Sequence, residues 1–469
     1  MARTSSHGSS TKCWRTSRVP GRTFPVTTKR SNLSRPAKIG EPEKIREPEK
    51  TREVDATEYH IDAERLKGFL TEISAFGKRP EGGVSRLGFS DADQKARAWL
   101  VSEMRATGLD VWVDAAGNIH GRRAGTEPGL PVILFGSHID SVPEGGIFDG
   151  TLGSLGALEV LKTLSALGSE TRHPLQMVVW ADEEGVHFGQ GLFGSRAATS
   201  GPIRGELDLT GSDGHSLSEW LERYGQRPSE IDSAVLNPRD VTAYFELHIE
   251  QGPKLDRQGV PIGIVEGIVG IYRFEATVEG FANHAGTTPM NERRDAMFSA
   301  ARLTQAVREE VMAKPGRQVG NVGLLKAFPG APNVIPGRVQ FPIELRDIDE
   351  AVVMEVLERI RGRAAVIGRE DGTTIGITPF ASERPAPTDT GLQEQIHRAA
   401  RGLGLDTIRL PSGAGHDAQN VSRHGIPTGM IFVRSKDGVS HNPNEWTDWD
   451  DCARGVEVLY RAVTELDAR

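Results

Sequence analysis

Cysteine is nearly absent from this chain: there are two in 469 residues, Cys13 and Cys452. Two distant thiols make neither a disulfide framework nor a thiolate metal cage. A reducing compartment is the simpler setting, and any metal ion is left to histidine and carboxylate ligands. Long apolar runs are missing too, since none approaches the roughly 18 residues of a membrane helix. No membrane partner is expected. Acidic residues are missing from the first forty positions, which hold nine Lys and Arg and no Asp or Glu. With a net charge of −8 overall, the remainder therefore carries −17. So acidic a body argues against nucleic acid as a partner.

The basic head is rich in Ser, Thr, Arg and Pro, the composition of an organellar transit peptide. Pro20, Pro25 and Pro36 oppose the amphipathic helix such a peptide uses. A disordered extension on a cytoplasmic protein is the preferred reading. The near-repeat EPEKIREPEK, Glu41 to Lys50, reads as a charged, Pro-spaced linker. Residues 1–56 are expected to be disordered, with order beginning near Thr57. The length that remains suits two domains.

Along the ordered part, apolar spacing predicts helices at His60 to Phe76 and from Ser90 to about Thr107, the second with Asp93 placed as a capping-box acid. Leu109 to Arg122 alternates around Gly117-Asn118 and reads as a hairpin. The apolar runs Pro131 to Phe135, Leu175 to Trp180, Tyr244 to Ile249 and Thr428 to Arg434 read as buried strands, with helices at Leu152–Leu167, Thr390–Gly402 and from Asp450. This rhythm predicts an α/β fold with a mostly parallel sheet covered by helices. Between its parts, two long alternating strands, Gly263 to Val278 and Val319 to Asp347, flank a helix at Asp295–Met312. A helix at Glu350–Gly368 and a strand at Thr373–Ala381 follow. Together they make an inserted α+β unit of β-α-β-β-α-β, ferredoxin-like type. The expected division is 57–260 and 384–469 for the first domain, with 261–383 inserted.

Chemistry-bearing residues gather at the strand ends. GSHIDSVPEGGIFDG, Gly136 to Gly150, carries His138 and Asp140 two apart, on one face of an extended chain, and then Asp149. Asp182-Glu183-Glu184 follows the next strand, and His248, His416 and His441 follow later ones. Singly, each is a structural histidine or a solvated turn. Jointly they fall where the loops of an open α/β sheet converge. Two divalent ions about 3.5–4 Å apart need one bridging carboxylate and further N/O ligands. Asp149 suits the bridge, with His138 and His248 completing one ion and Glu184 and His441 the other. Glu183 is then left unligated beside a shared water, suited to act as general base and later general acid. Asp140 is placed to accept His138's second ring N–H. Without thiolates the two ions would be Zn²⁺, or Mn²⁺, Co²⁺ or Ni²⁺.

In order, GSHIDSVPEGGIFDG, ADEEGVHFG, ELHIEQG, GFANHAGTTPM, APNVIPG, ELRDID, SGAGHDA and SHNPNE resemble the motifs of the dinuclear-metal amidohydrolases. The branch is that of N-carbamoyl-L-amino acid hydrolase, allantoate amidohydrolase and β-ureidopropionase, within the aminoacylase/carboxypeptidase superfamily. The resemblance covers about Thr57 to the C-terminus. In the peptidase branches an Asp or Glu usually stands where this chain has His248, so HIEQG is similar to the ureido branch. The resemblance implies that 261–383 is a lid and dimerisation domain on a catalytic α/β domain, and that the protein is a homodimer. It further implies that His284, often supplied by the partner subunit, and His416 meet the developing oxyanion. Arg346 would clamp the substrate carboxylate, Asn333 and Gln251 would be substrate donors, and the backbone near Gly413 and Gly415 would approach the ligand.

The expected reaction is hydrolysis of the carbamoyl group of an N-carbamoyl-L-amino acid or related small-molecule ureido acid, releasing ammonia and carbon dioxide. Allantoate and ureidoglycolate are sister substrates that need the same groups. An aminoacylase or dipeptidase, and a non-catalytic binding protein, are the more distant alternatives.

Overall fold

The apolar runs assemble as β-structure, and the structure, a computed structural model, describes residues 59–199 and 204–469. The head, the linker and the transit-peptide reading lie outside the described residues. In chain order the first strands are β1 (Asp110–Val113), β2 (Ile119–Arg123), β3 (Val132–His138), β4 (Leu175–Trp180), β5 (Val241–Ile249) and β6 (Ile262–Ile268). Then come β7 (Gly270–Glu279), β8 (Asn283–His284), β9 (Val319–Asn321), β10 (Lys326–Phe328), β11 (Val334–Ile335), β12 (Arg338–Asp347) and β13 (Thr374–Glu383). The last are β14 (Ala386–Pro387), β15 (Thr407–Ser412) and β16 (Thr428–Val433).

One sheet has the order β1-β2-β4-β3-β5-β16-β6-β14, with β15 beside β6. Its heart, β4-β3-β5-β16, is parallel, and β1-β2 is the expected antiparallel hairpin. Helices cover both faces: α1 (Ala63–Ile73), α2 (Asp91–Ala106), α3 (Thr151–Ala166), α4 (Phe193–Thr199), α5 (Leu217–Arg223) and α6 (Lys254–Gln258) come first. They are followed by α7 (Ala296–Ala313), α8 (Glu350–Asp371), α9 (Thr390–Gly402), α10 (Asp417–Arg423) and α11 (Trp449–Asp467). Alternate residues of β3 serve opposite cores, which explains its continuous apolar sequence. Ile133 and Phe135 pack with Leu155 and Leu158 of α3 and Val456 and Leu459 of α11. Leu134 packs with Trp180, Tyr244 and the α10 residues Ala418 and Val421. Truncating such a buried leucine costs about 2–5 kcal/mol, so the strand ends are anchored by packing.

A second, antiparallel sheet runs β10-β12-β7-β13, with β9 paired to β12. The helices α7 and α8 close over it around Phe274, Leu303, Phe341, Ile343, Val356 and Ile360. Two expected strands are divided. The run Gly263 to Val278 is β6 in the first sheet and β7 in the second. The glycines at this crossing lie against neighbouring backbone, and a Cβ on Gly267 would sit 2.7 Å from the Ala386 carbonyl. The run Val319 to Asp347 is four strands, interrupted by Pro329, Pro332 and Pro336, which cannot donate to a ladder. The second sheet and its helices therefore span Gly270 to Glu383.

Candidate metal centre

Four chain segments meet at the carboxyl ends of the parallel strands. His138 ends β3, Asp182-Glu183-Glu184 follows β4, His248 lies near the end of β5, and the loop after β16 carries His441. Asp149 arrives just before α3. The two oxygens of Asp149 face different partners. Oδ1 lies 3.6 Å from His138 Nε2 and 3.2 Å from His248 Nε2. Oδ2 lies 3.5 Å from His441 Nε2, which is also 3.5 Å from Glu184 Oε2. Two ligand sets result, His138/Asp149/His248 and Asp149/Glu184/His441, each with its donor atoms within 4.8 Å of one another.

The ring nitrogens are oriented for this. His138 Nδ1 bonds the Asp140 carbonyl at 3.0 Å and His248 Nδ1 the Ile249 carbonyl at 2.8 Å. A carbonyl only accepts, so both Nδ1 atoms carry a proton and both Nε2 atoms are turned toward Asp149. The Gly150 N–H donates to His248 Nε2 at 3.1 Å. Gly150 has φ +59°, and a Cβ there would sit 2.2 Å from His138 Nε2, so only glycine fits this position.

Glu183 Oε2 stands 3.8 Å from His138 Nε2. Burial holds the Glu183 carboxyl well above the usual carboxylate range; His138 pulls it down, while Glu184, Asp417 and Asp140 push it up again. Burial and Asp149 raise Glu184 to about 7. Hydrogen bonding to Asp149 raises His441 to about 9 against its burial. So many crowded carboxylates lack positive charge, and Glu184 Oε1 is buried with no hydrogen-bond partner. An N/O donor set of this kind fits divalent cations.

Around the ligands, the structure corrects one expectation and adds residues the sequence reading passed over. The backbone carbonyl of Asp140, not its carboxylate, takes the His138 ring proton; the carboxylate oxygen is 3.6 Å away. The carboxylate is drawn instead to two peptide donors, accepting from Glu183 N–H at 3.2 Å and Glu184 N–H at 3.0 Å. Glu445, buried, accepts from Phe148 N–H, Asp149 N–H and Ser440 O–H at 3.0, 3.1 and 2.8 Å. Ser440 also lies 2.8 Å from Asp149 Oδ2. Glu445 is the acid of the SHNPNE motif itself, the one signal that pointed to it. Asp182, Gln251 and His441 have φ between +51° and +56°, a strained backbone of the kind that gathers at functional sites.

The expected substrate residues are less gathered. His416 is buried, 2.9 Å from Ser412 Oγ, with its ring 4.5 Å from that of His248. Burial and His248 hold its pKa well below the ordinary value, so it is a neutral imidazole. Gln251 donates to Asp149 Oδ2 at 2.7 Å and leaves its own amide oxygen buried without a partner. Arg346, on β12, donates to Glu344 Oε1 at 2.9 Å and to the Gly413 carbonyl at 2.9 Å. Arg346, Gly413 and Gln251 line a cleft of about 400 Å³ with Phe432, Leu410 and Lys254. A Cβ at Gly413 would meet nothing within 4 Å, and one at Gly415 would meet only the Gln419 and Leu192 side chains, so these glycines face open space. His284 and Asn333 are exposed near the β8–β11 pair, and the His284 ring accepts only the N–H groups of Gly286 and Thr287.

A model of the peptidase family M20/M25/M40 matches residues 134–465. The chain belongs to this family. The N-carbamoyl-L-amino acid amidohydrolase of Geobacillus stearothermophilus is 43 % identical over 87 % of this M20-family chain and 99 % of its own length. The allantoate amidohydrolase of Escherichia coli is 35 % identical over 86 % of this chain and 98 % of its own length. Among solved structures, a hydantoinase/carbamoylase family amidase from Burkholderia ambifaria has a TM-score of 0.80 at 36 % identity, covering 86 % of this chain and 97 % of its own.

Proposed function

We propose that this M20-family chain is an amidohydrolase that cleaves the carbamoyl C–N bond of an N-carbamoyl-L-amino acid, releasing ammonia and carbon dioxide. The observation that carries the reading is Asp149, one carboxylate whose two oxygens serve two ligand sets beside the unligated Glu183. In this reading His138, Asp149 and His248 hold one divalent ion and Asp149, Glu184 and His441 a second, Zn²⁺ or Mn²⁺, Co²⁺ or Ni²⁺. Such ions polarise a carbonyl and lower the pKa of a water to about 7, which a ureido carbon needs because both nitrogens donate into it.

The remaining roles belong to side chains. Glu183 accepts the attacking water's proton and delivers it to the departing nitrogen. The neutral His416 donates toward the developing oxyanion, and His284 joins it from the lid, residues 270–383. Arg346 exchanges Glu344 for the substrate carboxylate, a bidentate contact for which its planar fork is suited. Gln251 and Asn333 donate to the substrate, and the open faces of Gly413 and Gly415 admit it. The exposure of His284 supports a site completed by a second copy, hence a homodimer through the lid. No helix among the described residues is long and apolar enough to cross a membrane. The buried free thiol of Cys452 suits a reducing, cytoplasmic setting.

Allantoate or ureidoglycolate as substrate is the second reading, favoured by the Escherichia coli relative. The deciding experiment is a substrate panel on metal-reconstituted protein with ammonia detection: N-carbamoyl-L-amino acids, β-ureidopropionate, allantoate, ureidoglycolate, an N-acetyl amino acid and a dipeptide. Ammonia from the carbamoyl amino acids above all others is the expected result. Turnover of the acetyl or peptide substrates alone would overturn the ureido assignment.

A further inference from the structure

Arg86 is the most deeply buried arginine of the described residues, 1 % exposed, and it forms no ion pair there. An unpaired buried charge is expensive, so its hydrogen bonds must offset much of the cost. The guanidinium uses all three of its nitrogens. Nε donates to the Ile139 carbonyl at 2.7 Å, and Nη2 to Thr151 Oγ1 at 3.2 Å. Nη1 donates to the carbonyls of Ile73 and Phe76, both at 3.0 Å, at the C-terminal end of α1. Burial lowers its pKa to about 10, with Asp93 and Asp140 acting the other way, so the group is still a cation at neutral pH.

Its backbone continues the grip. Arg86 N–H donates to Ser141 Oγ at 2.9 Å, and Ser141 N–H returns a bond to the Arg86 carbonyl at 2.8 Å. Val84 and Gly145 exchange two further backbone bonds of 2.9 and 2.8 Å. The acceptors have a pattern. Ile139 lies between His138 and Asp140, and Thr151 lies two residues after Asp149, so one side chain holds both ends of the stretch from His138 to Asp149. On the far side of that stretch the Asp140 carboxylate holds the backbone of Glu183 and Glu184. A continuous chain of bonds thus runs from α1 through Arg86 and Ile139–Ser141 to the acidic turn.

We propose that Arg86 is a positioning residue of the metal centre, setting the spacing between His138, Asp149 and the Glu183–Glu184 turn that a divalent ion requires. This rests on the two-metal reading above. Lysine cannot replace it, because a single ammonium cannot reach all four of these separated acceptors as the planar guanidinium fork does.

The test uses the full chain, stripped of metal, with Co²⁺ alone as the probe, since its visible absorption reports ligand geometry. Arg86→Lys is expected to fold, by circular dichroism and a cooperative melt, yet to bind Co²⁺ about 10–100-fold more weakly with a shifted visible band. Thr151→Val removes only the Nη2 acceptor and is expected to weaken binding about threefold, with a smaller shift, in keeping with one hydrogen bond. Arg97→Lys, at the other buried arginine of the described residues, bonded to the Gly117 carbonyl, is the control and should change neither. Wild-type Co²⁺ affinity and spectrum in both Arg86→Lys and Thr151→Val overturn the proposal. If Arg86→Lys does not fold, Thr151→Val decides. If the wild-type chain takes up no Co²⁺, Zn²⁺ or Mn²⁺, the two-metal reading fails and this proposal fails with it, an outcome distinct from normal binding by the variants.

Discussion

His138, Asp149 and His248 are buried at the ends of packed strands, while His284 and Asn333 stand exposed on the second sheet's side of the molecule and Arg346 is tied up by Glu344. Both groups were read from motifs of equal clarity. The difference lies in what surrounds them. The ligand residues are held by peptide groups and buried carboxylates: Asp140 on the acidic turn, Glu445 on Asp149, and the backbone carbonyls of Asp140 and Ile249 on the two imidazoles. Of the proposed recognition residues, Arg346 is held by Glu344 and the Gly413 carbonyl, and the His284 ring accepts only from Gly286 and Thr287. One half is preorganised before anything binds; in the reading proposed above, the other is completed by a motion or by a second subunit. That is the arrangement expected where substrate must enter before water is excluded.

The sharpest test of the fixed half is Glu183→Gln. It should bind metal ions like the wild type and lose about 10²–10⁴-fold in kcat, read by ammonia release beside a metal analysis. Retention of a large part of the activity would remove Glu183 from its role.

For the unassembled half, His284→Ala should lower kcat by about 10²–10³-fold while leaving metal content unchanged. Mixing it with Glu183→Gln under subunit exchange should restore part of the activity if His284 serves the neighbouring copy. No recovery, with exchange verified, would place His284 in its own subunit's site and weaken the contrast drawn above. A milder change is Arg346→Lys, expected to raise KM for a carboxylate substrate about 10–100-fold with kcat little altered, because the fork is lost and the charge kept. An equal loss in kcat would make Arg346 part of the fixed machinery.

The smallest effect should come from Glu344→Gln. Glu344 shares its carboxylate between Arg346 and, at 2.7 Å, Arg273, its register partner on β7. Freeing the Arg346 fork should lower KM for the substrate carboxylate by about twofold to threefold, a modest change because the pair is part-exposed and screened. A higher KM would show that Glu344 orients Arg346 rather than competing for it.

Much of this fold was legible because burial leaves a strong pattern. The parallel strands, buried on both faces, wrote themselves as apolar runs, and Ser90 and Asp295 capped helices where they were expected to start. The two misread strands have different causes: Pro329, Pro332 and Pro336 break the Val319 to Asp347 run, and the other run crosses between sheets. Alternation persists across Gly267–Gly270 although the chain changes sheets there, and periodicity carries no information about which sheet a strand joins. Asp140 was placed on the right loop and given the wrong bond, since the choice between its carbonyl and its carboxylate depends on where the Glu183–Glu184 peptide lies. Arg86, Glu344 and Glu445 drew no notice because a charged residue in a polar stretch looks solvated until its burial is known.

Residue type and order along the chain determined the donor set: histidines and carboxylates at strand ends, with thiolates excluded, and the family to which the chain belongs. Only the tertiary structure decided which oxygen of Asp149 faces which histidine, and that Glu445, 296 residues away, holds its backbone. The physical reason is range. Ligand chemistry is a property of single side chains and is written locally, whereas the geometry and protonation of a buried cluster arise from groups that only folding brings within a hydrogen bond of one another.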